Sequence, residues 1–273
     1  MGSTVVFFHA HPDDEAIFTG GTVALLSDAG HRVVVVVGTG GELGQPHLDA
    51  AGPDHLGAVR RAETERAAAL LGAARVDFLG YRDSGPAGDA ANQAPGSMWS
   101  TDASEVADRL AAVLAEESPR ALVIYDEFGI YGHPDHLQVH RAGTLAAARA
   151  AVPIVYEATV DREYLHFVET HLVEEAVLTG DLGLVRSHIG MPTVLVSTTV
   201  DVSPVLDKDP PMLSYGHGSR SMSTMASEVF AKDRSRRRRA ITHPADPQRV
   251  TGSACTTGST SAAKLRMLAS ACS

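Results

Sequence analysis

Cysteine is nearly absent from this chain: two residues in 273, Cys255 and Cys272, both close to its end. Such a pair cannot staple a small secreted scaffold, and an intracellular, cytoplasmic protein is the expectation. Aromatic residues are sparse at 5%, with one tryptophan, Trp99. Positive charge is short too: 23 Lys and Arg stand against 33 Asp and Glu, a formal charge of −10 that disfavours a nucleic-acid partner. No apolar run reaches the roughly 18 residues of a membrane span, and no basic-then-apolar leader opens the sequence. The Ser-rich tail holds no Gly-x-Ser-x-Gly elbow, so serine-hydrolase chemistry has no support. Internal repeats are missing, as is any sign of an obligate protein partner. What is present is a hydrophobic fraction of 44%, which suits a large globular core.

Apolar runs and punctuation order the first half. Residues 4–9 and 32–37 read as strands buried on both faces, with a helix over 15–29 between them. The loop Gly38–Gly44 is out of step with the dinucleotide fingerprint, so nucleotide binding is not expected. A helix over 56–71, a strand at 76–80 and a long polar loop over 81–103 follow; loops of that length commonly serve as lids or binding loops. Ser104 is the expected cap of a helix over 105–117, ahead of a strand at 121–125, a helix at 135–150 and a strand at 154–156. Val194–Asp201 reads as a further strand. The alternation implies an α/β fold with a mostly parallel sheet flanked by helices. Residues 1–200 are expected to form the main domain. Residues 201–273 form an irregular extension packing on it, whose last 35 or so residues read as a loosely ordered tail. The arginines at 234–239 read as a solvated face.

In parallel sheets ligands bind beyond the carboxyl ends of the strands. His11, Glu42, Asp83 and the segment Asp126–His136 all follow predicted strands, so one rim gathers them. His11 and Asp14 stand three apart in His11-Pro-Asp-Asp-Glu15, a spacing that puts their side chains on one side of a turn. Imidazole with carboxylate suits zinc or a similar divalent ion. His133-Pro-Asp-His136, with His140 a turn later, supplies a third ligand. Three acids packed at a strand end repel unless a cation or protons compensate. Glu15 either orients His11 or begins the helix, and His9 points away from His11 as an ordinary core histidine. Three ligands leave a position for water. Asp13 is then placed as general base, His133 or Tyr131 as oxyanion stabiliser or leaving-group acid, and Asp135 as the group orienting His133. That outline serves amide hydrolysis, and ester hydrolysis nearly as well.

Ala10-His-Pro-Asp-Asp-Glu15 and Gly132-His-Pro-Asp-His136, with His140, resemble the two signatures of the PIG-L/LmbE-like de-N-acetylases. The resemblance covers roughly residues 4–160. It implies a Rossmann-like domain, zinc held by His11, Asp14 and His136, and Asp13 as general base. It implies His133 as the histidine that aids the intermediate and leaving group, Asp135 as its partner, and Tyr131 on the oxyanion side. Arg60 and Glu63 resemble a helix whose arginine contacts the sugar; their bland alternative is a same-face ion pair. Asp83, in Arg82-Asp-Ser-Gly85, matches an aspartate that grips sugar hydroxyls, and Glu42 and His217 complete the substrate-contact candidates. The mycothiol branch carries a lysine-and-histidine helix where this chain has Leu206–His217, broken by Pro210 and Pro211. The chain is similar to actinomycete deacetylases of the N-acetylglucosaminyl pseudoaglycone of teicoplanin-type antibiotics, which makes that small-molecule substrate class the expectation. A mycothiol- or bacillithiol-type GlcNAc conjugate deacetylase or amidase is the alternative. A metal-dependent phosphoesterase and a non-catalytic sugar-binding module are the readings from other classes.

Overall fold

The computed structural model describes residues 2–44, 52–171, 189–208 and 264–270. Five parallel strands carry the fold: β1 (Thr4–His9), β2 (Arg32–Thr39), β3 (Arg75–Tyr81), β4 (Ala121–Tyr125) and β5 (Ile154–Thr159). Two more, β6 (Thr198–Asp201) and β7 (Lys264–Ser270), extend the sheet, with β7 antiparallel to both β5 and β6. Their spatial order is β3-β2-β1-β4-β5-β7-β6. The chain therefore winds outward in one direction from β1 and in the other from β4. Between those two strands, at their carboxyl ends, lies the crevice where such sheets bind ligands.

Val33–Val37 of β2 are all fully buried, which explains an apolar run without alternation: helices cover both faces. Each such valine contributes roughly 1.5 kcal/mol or more by leaving water. The helices are α1 (Gly20–Asp28), entered through a π-helical turn at Glu15–Thr19, α2 (Pro53–Leu70), α3 (Ala103–Glu117), the single turn α4 (Gly129–Gly132), α5 (Pro134–Arg149) and α6 (Arg162–His171). Buried Val106, Leu110, Val113 and Leu114 recur at helical spacing along α3 and face α5. Gly143 lets α5 lie directly on β4, since a Cβ there would stand 2.5 Å from Ile124 Cγ2.

Three expectations need adjustment. The cap of α3 is Asp102, whose carboxylate accepts from Ser104 N–H at 2.7 Å; Ser104 lies inside the helix and its hydroxyl takes Arg149 instead. The strand expected over Val194–Asp201 divides into a 3-10 turn, Thr193–Leu195, and β6. The expected tail contains β7, a strand inserted between β5 and β6, while residues 209–263 lie outside the described residues, with His217 and the arginine run. The long loop read over 81–103 is held against α5. Gln138 Nε2 donates to the carbonyls of Met98 and Thr101 at 3.1 and 2.7 Å, and fully buried Met98 packs over Gly38. Among the described residues, no helix is long and apolar enough to cross a membrane.

Candidate active site

The first strand ends by sorting its two histidines. His9 points into the core, with Tyr125 OH at 2.9 Å from Nδ1 and Thr19 Oγ1 at 3.0 Å from Nε2. Burial lowers its imidazole to about 4, so it stays neutral as a structural group. His11 comes two residues later, where the backbone turns. Its N–H donates to Asp14 Oδ2 at 2.8 Å, which closes the turn. Asp13, between them, is held at φ +96°, a left-handed conformation that a non-glycine residue adopts only when the surroundings enforce it.

Asp14 Oδ2 then sits between two imidazoles: 3.5 Å from His11 Nδ1 and 3.4 Å from His136 Nε2. All three residues are buried, and their ligand atoms lie within 4.8 Å of one another. A tetrahedral zinc ion with bonds of about 2.1 Å spaces its ligand atoms about 3.4 Å apart, so these residues fit that ion. His136 Nδ1 is buried and has no hydrogen-bond partner among the described residues, so the polar contacts of this ring are made at Nε2. Burial pushes the Asp14 carboxyl up, yet His136 and His11 hold it well below the carboxylate range. Burial likewise pushes His11 down, but Asp135, Asp14 and Asp83 together hold it well above the histidine value. The acids thus favour positive charge at His11, beside the place where a divalent ion would supply it instead.

Around this core the remaining candidates take up positions. Asp13 extends into the mouth of the cleft, where Arg60 Nη2 donates to its Oδ2 at 2.7 Å. Over half of its side-chain surface is open, yet the walls withhold enough water to raise its carboxyl to about 6; Arg60 opposes the rise and Asp14 adds to it. Arg60 also donates to the carbonyls of Pro12 and Gly41, at 2.7 and 2.8 Å. Its ion pair among the described residues is with Asp13, not with Glu63 on its own helix. Glu42 accepts from Asp83 N–H at 3.0 Å, and Asp83 accepts from Leu43 and Gly85 N–H at 3.3 and 2.8 Å. Both acids thus brace neighbouring loops, and Asp83 Oδ1 lies 3.6 Å from His11 Nε2. Tyr131 OH stands 3.1 Å from His136 Nε2 at a half-open position on the rim.

Asp135 differs from the expectation. Its carboxylate lies 3.1 Å from His11 Nε2, and only its backbone N–H reaches His133, donating to Nδ1 at 3.2 Å. The helix start is the reason: His133 is the N-cap of α5 and turns its ring back over the first turn, while Asp135, fully buried, faces β1. Because Nδ1 accepts, the ring proton of neutral His133 is on Nε2. Burial, then His11 and His136, lower this imidazole to about 4. His140 is outside the cluster, 3.1 Å from the Tyr125 carbonyl. Glu15 accepts from Asp13 N–H at 3.1 Å, and burial with its two acidic neighbours raises it to about 8.

Two residues gain roles that sequence reasoning does not assign. Buried Asp126 accepts from Phe128 and Ile130 N–H at 3.0 and 2.9 Å and so shapes the turn carrying Tyr131 and His133, including Ile130 at φ +64°. Ser84 contacts Asp135 and is taken up below. A position just after β4 was the available signal for Asp126; Ser84 offers none beyond its place beside Asp83.

A parallel α/β sheet here carries, at its reversal point, a buried His/Asp/His cluster with a donor set that could hold a divalent metal. The chain belongs to the family described as PIG-L: GlcNAc-PI de-N-acetylase, whose model matches residues 6–147. It is similar to the 1D-myo-inositol 2-acetamido-2-deoxy-alpha-D-glucopyranoside deacetylase 1 of Catenulispora acidiphila, 35% identical over 259 residues, covering 83% of this chain and 80% of that protein. The deacetylase of the same name from Actinosynnema mirum is 38% identical over 210 residues, 73% of this chain and 74% of that protein. A Nocardioides homologue of that name is 45% identical over 169 residues, and there the chain spans 55% of the relative's length. Among solved structures, GalB, the 4-carboxy-2-hydroxymuconate hydratase of Pseudomonas putida, shares the fold with a TM-score of 0.60 at 18% identity, over 98% of this chain and 95% of that one. A hydratase on this fold shows that architecture alone does not set the reaction.

Proposed function

We propose that this chain is a zinc-dependent deacetylase acting on an N-acetylglucosaminyl conjugate, with a GlcNAc-inositol as the favoured substrate. The observation that carries the reading is Asp14 Oδ2 at 3.5 and 3.4 Å from His11 and His136, with Asp13 beside them at the cleft mouth. Zinc held by those three residues supplies Lewis acidity toward the acetamide carbonyl and toward water. Asp13 takes the proton of the attacking water, a task suited to a carboxyl near 6. Arg60 keeps that carboxylate aimed across the mouth. His133 presents Nε2–H as a donor to the developing oxyanion or the leaving nitrogen, and the Tyr131 hydroxyl is a second donor on the same side. Asp83 and Glu42 hold the wall on which sugar hydroxyls are read.

The relatives that match across most of the chain carry the GlcNAc-inositol name, which supports that substrate over the antibiotic pseudoaglycone preferred from sequence. The test is acetate and primary-amine release from GlcNAc-inositol, GlcNAc-malate and a GlcNAc-bearing glycopeptide aglycone, using the zinc-loaded chain. Fastest turnover of GlcNAc-inositol, lost on chelation and restored by zinc, is the expected result. Preference for the aglycone would redirect the substrate. Phosphate release from sugar phosphates without any deacetylation would sink the reading.

A further inference from the structure

The stretch Arg82–Trp99 contributes nothing to the sheet proper, yet it sends one fully buried side chain toward the cluster. Ser84 N–H donates to Asp135 Oδ2 at 2.9 Å, and its hydroxyl donates to Asp135 Oδ1. The hydroxyl oxygen in turn accepts from Trp99 N–H at 2.9 Å, and the Ser84 carbonyl accepts from Asn92 Nδ2 at 2.5 Å. A serine hydroxyl has one proton to give. With Trp99 N–H occupying its acceptor side, that proton is directed at Asp135. Both carboxylate oxygens of Asp135 are thereby fixed from the loop side, and Oδ2 faces His11 Nε2 at 3.1 Å. A carboxylate opposite Nε2 keeps the ring proton there and leaves Nδ1, the nitrogen 3.5 Å from Asp14, with its lone pair toward the ligand cluster.

We infer that Ser84 is a positioning residue that acts through Asp135 to set the tautomer and orientation of His11, and so the affinity of the site for zinc. The inference rests on the zinc reading above. Ser84 has no exposed surface, so direct contact with a sugar is closed to it. The loop around it then has a reason to be pinned. Asn92, Trp99 and the Gln138 contacts hold the serine at a fixed place relative to α5, which carries both Asp135 and His136.

The measurement is zinc affinity of the full-length chain by competition with a chelator, with the absorption spectrum of the cobalt-substituted protein as a second readout. Ser84→Ala is expected to weaken zinc binding by about tenfold or more and to shift the cobalt bands, as losing support behind a metal-bound histidine does elsewhere. In an Asp135→Ala background the same change is expected to cost nothing further, because its route to His11 is already cut. Zinc bound as tightly by Ser84→Ala as by the parent, or equal losses in both backgrounds, would overturn the inference. Should Ser84→Ala fail to fold, Asp135→Asn keeps the side-chain shape and tests the same link. Weaker zinc binding is expected from it, and unchanged affinity would overturn the role. A parent chain that binds no zinc would overturn the proposed function instead.

Discussion

At the amino ends of β2 and β3, Arg32 and Arg75 meet Glu116, Glu117 and Asp77; at the carboxyl ends of β1 and β4, five acids crowd around three imidazoles and Arg60. In the first network every acid has an arginine partner. Arg32 grips Glu117 through two hydrogen bonds, 2.7 and 3.0 Å, and Arg75 bridges Glu116, Glu117 and Asp77. Its backbone is regular strand and helix. In the second, Asp13, Asp14, Glu15, Asp83 and Asp135 outnumber Arg60 and stand in one turn region, one loop and the first turn of α5. The backbone there is strained at Asp13 and Ile130. Clusters of charged residues can thus serve opposite ends. Where each acid meets an arginine at regular backbone, they fasten elements together. Where acids accumulate at strained backbone with a carboxylate shared by two histidines, they form a donor set that could hold a cation.

The largest effect separating the two ends is expected from Asp13→Asn. Loss of the base lowers kcat/KM for the N-acetylated conjugate by about 10²–10⁴-fold. Zinc content, measured by elemental analysis, stays near that of the parent, because Asp13 is not among the three ligand residues. A variant that lost zinc together with activity would move Asp13 into the ligand set and blur the division of labour within the loop.

Backbone strain at the carboxyl rim has its own test. Gly129 adopts φ +59°, and a Cβ there would stand 2.8 Å from the His136 carbonyl carbon, His136 Cβ and Leu137 N. Nothing in that list is a flexible side-chain end, so the backbone of α5 has to give way. Gly129→Ala is expected to shift His136 and weaken zinc binding by about ten- to a hundredfold, comparable to losing a support behind a ligand. Competition with a chelator measures it. Unchanged affinity would show that the first turn of α5 yields without moving His136, and that rim rigidity is less than the packing implies.

The parts of this comparison differ in how visible they are in sequence. The valine run of β2 announces a buried strand, and the two His/Asp motifs announce the cluster, because both signals are local. Links spanning the chain are silent. Arg60 reaches Asp13 across 47 residues, and Ser84 reaches Asp135 across 51. Asp135 was read as the partner of its near neighbour His133, since sequence proximity favours that pairing; the helix start at Pro134 turns the carboxylate toward His11 instead. The strand β7 lay in a stretch whose Ser, Thr and Gly content resembles a solvated tail. Its pairing with β5 supplies what composition does not.

The smallest effect belongs to the amino rim. Glu117 is largely covered, while Arg32 is about half open, so water screens one side of the pair. Exposed and half-exposed ion pairs contribute about 0.2–1 kcal/mol, and Glu117→Gln is expected to cost no more than about 1 kcal/mol in urea unfolding at neutral pH. Hydrogen bonds from Arg32, and then Arg75, hold the Glu117 carboxyl below its ordinary value. A carboxyl lowered in the folded state adds stability above its unfolded value, and that stability drains away as pH falls through the folded one. The difference between parent and Glu117→Gln should therefore be full at pH 7 and shrink as pH drops below the glutamate range. Deacetylation should stay within about twofold of the parent throughout the neutral range, as for other substitutions far from a site. A loss of activity from this change, with zinc retained, would mean that the two ends of the sheet are coupled and that the fastening network also tunes the cleft.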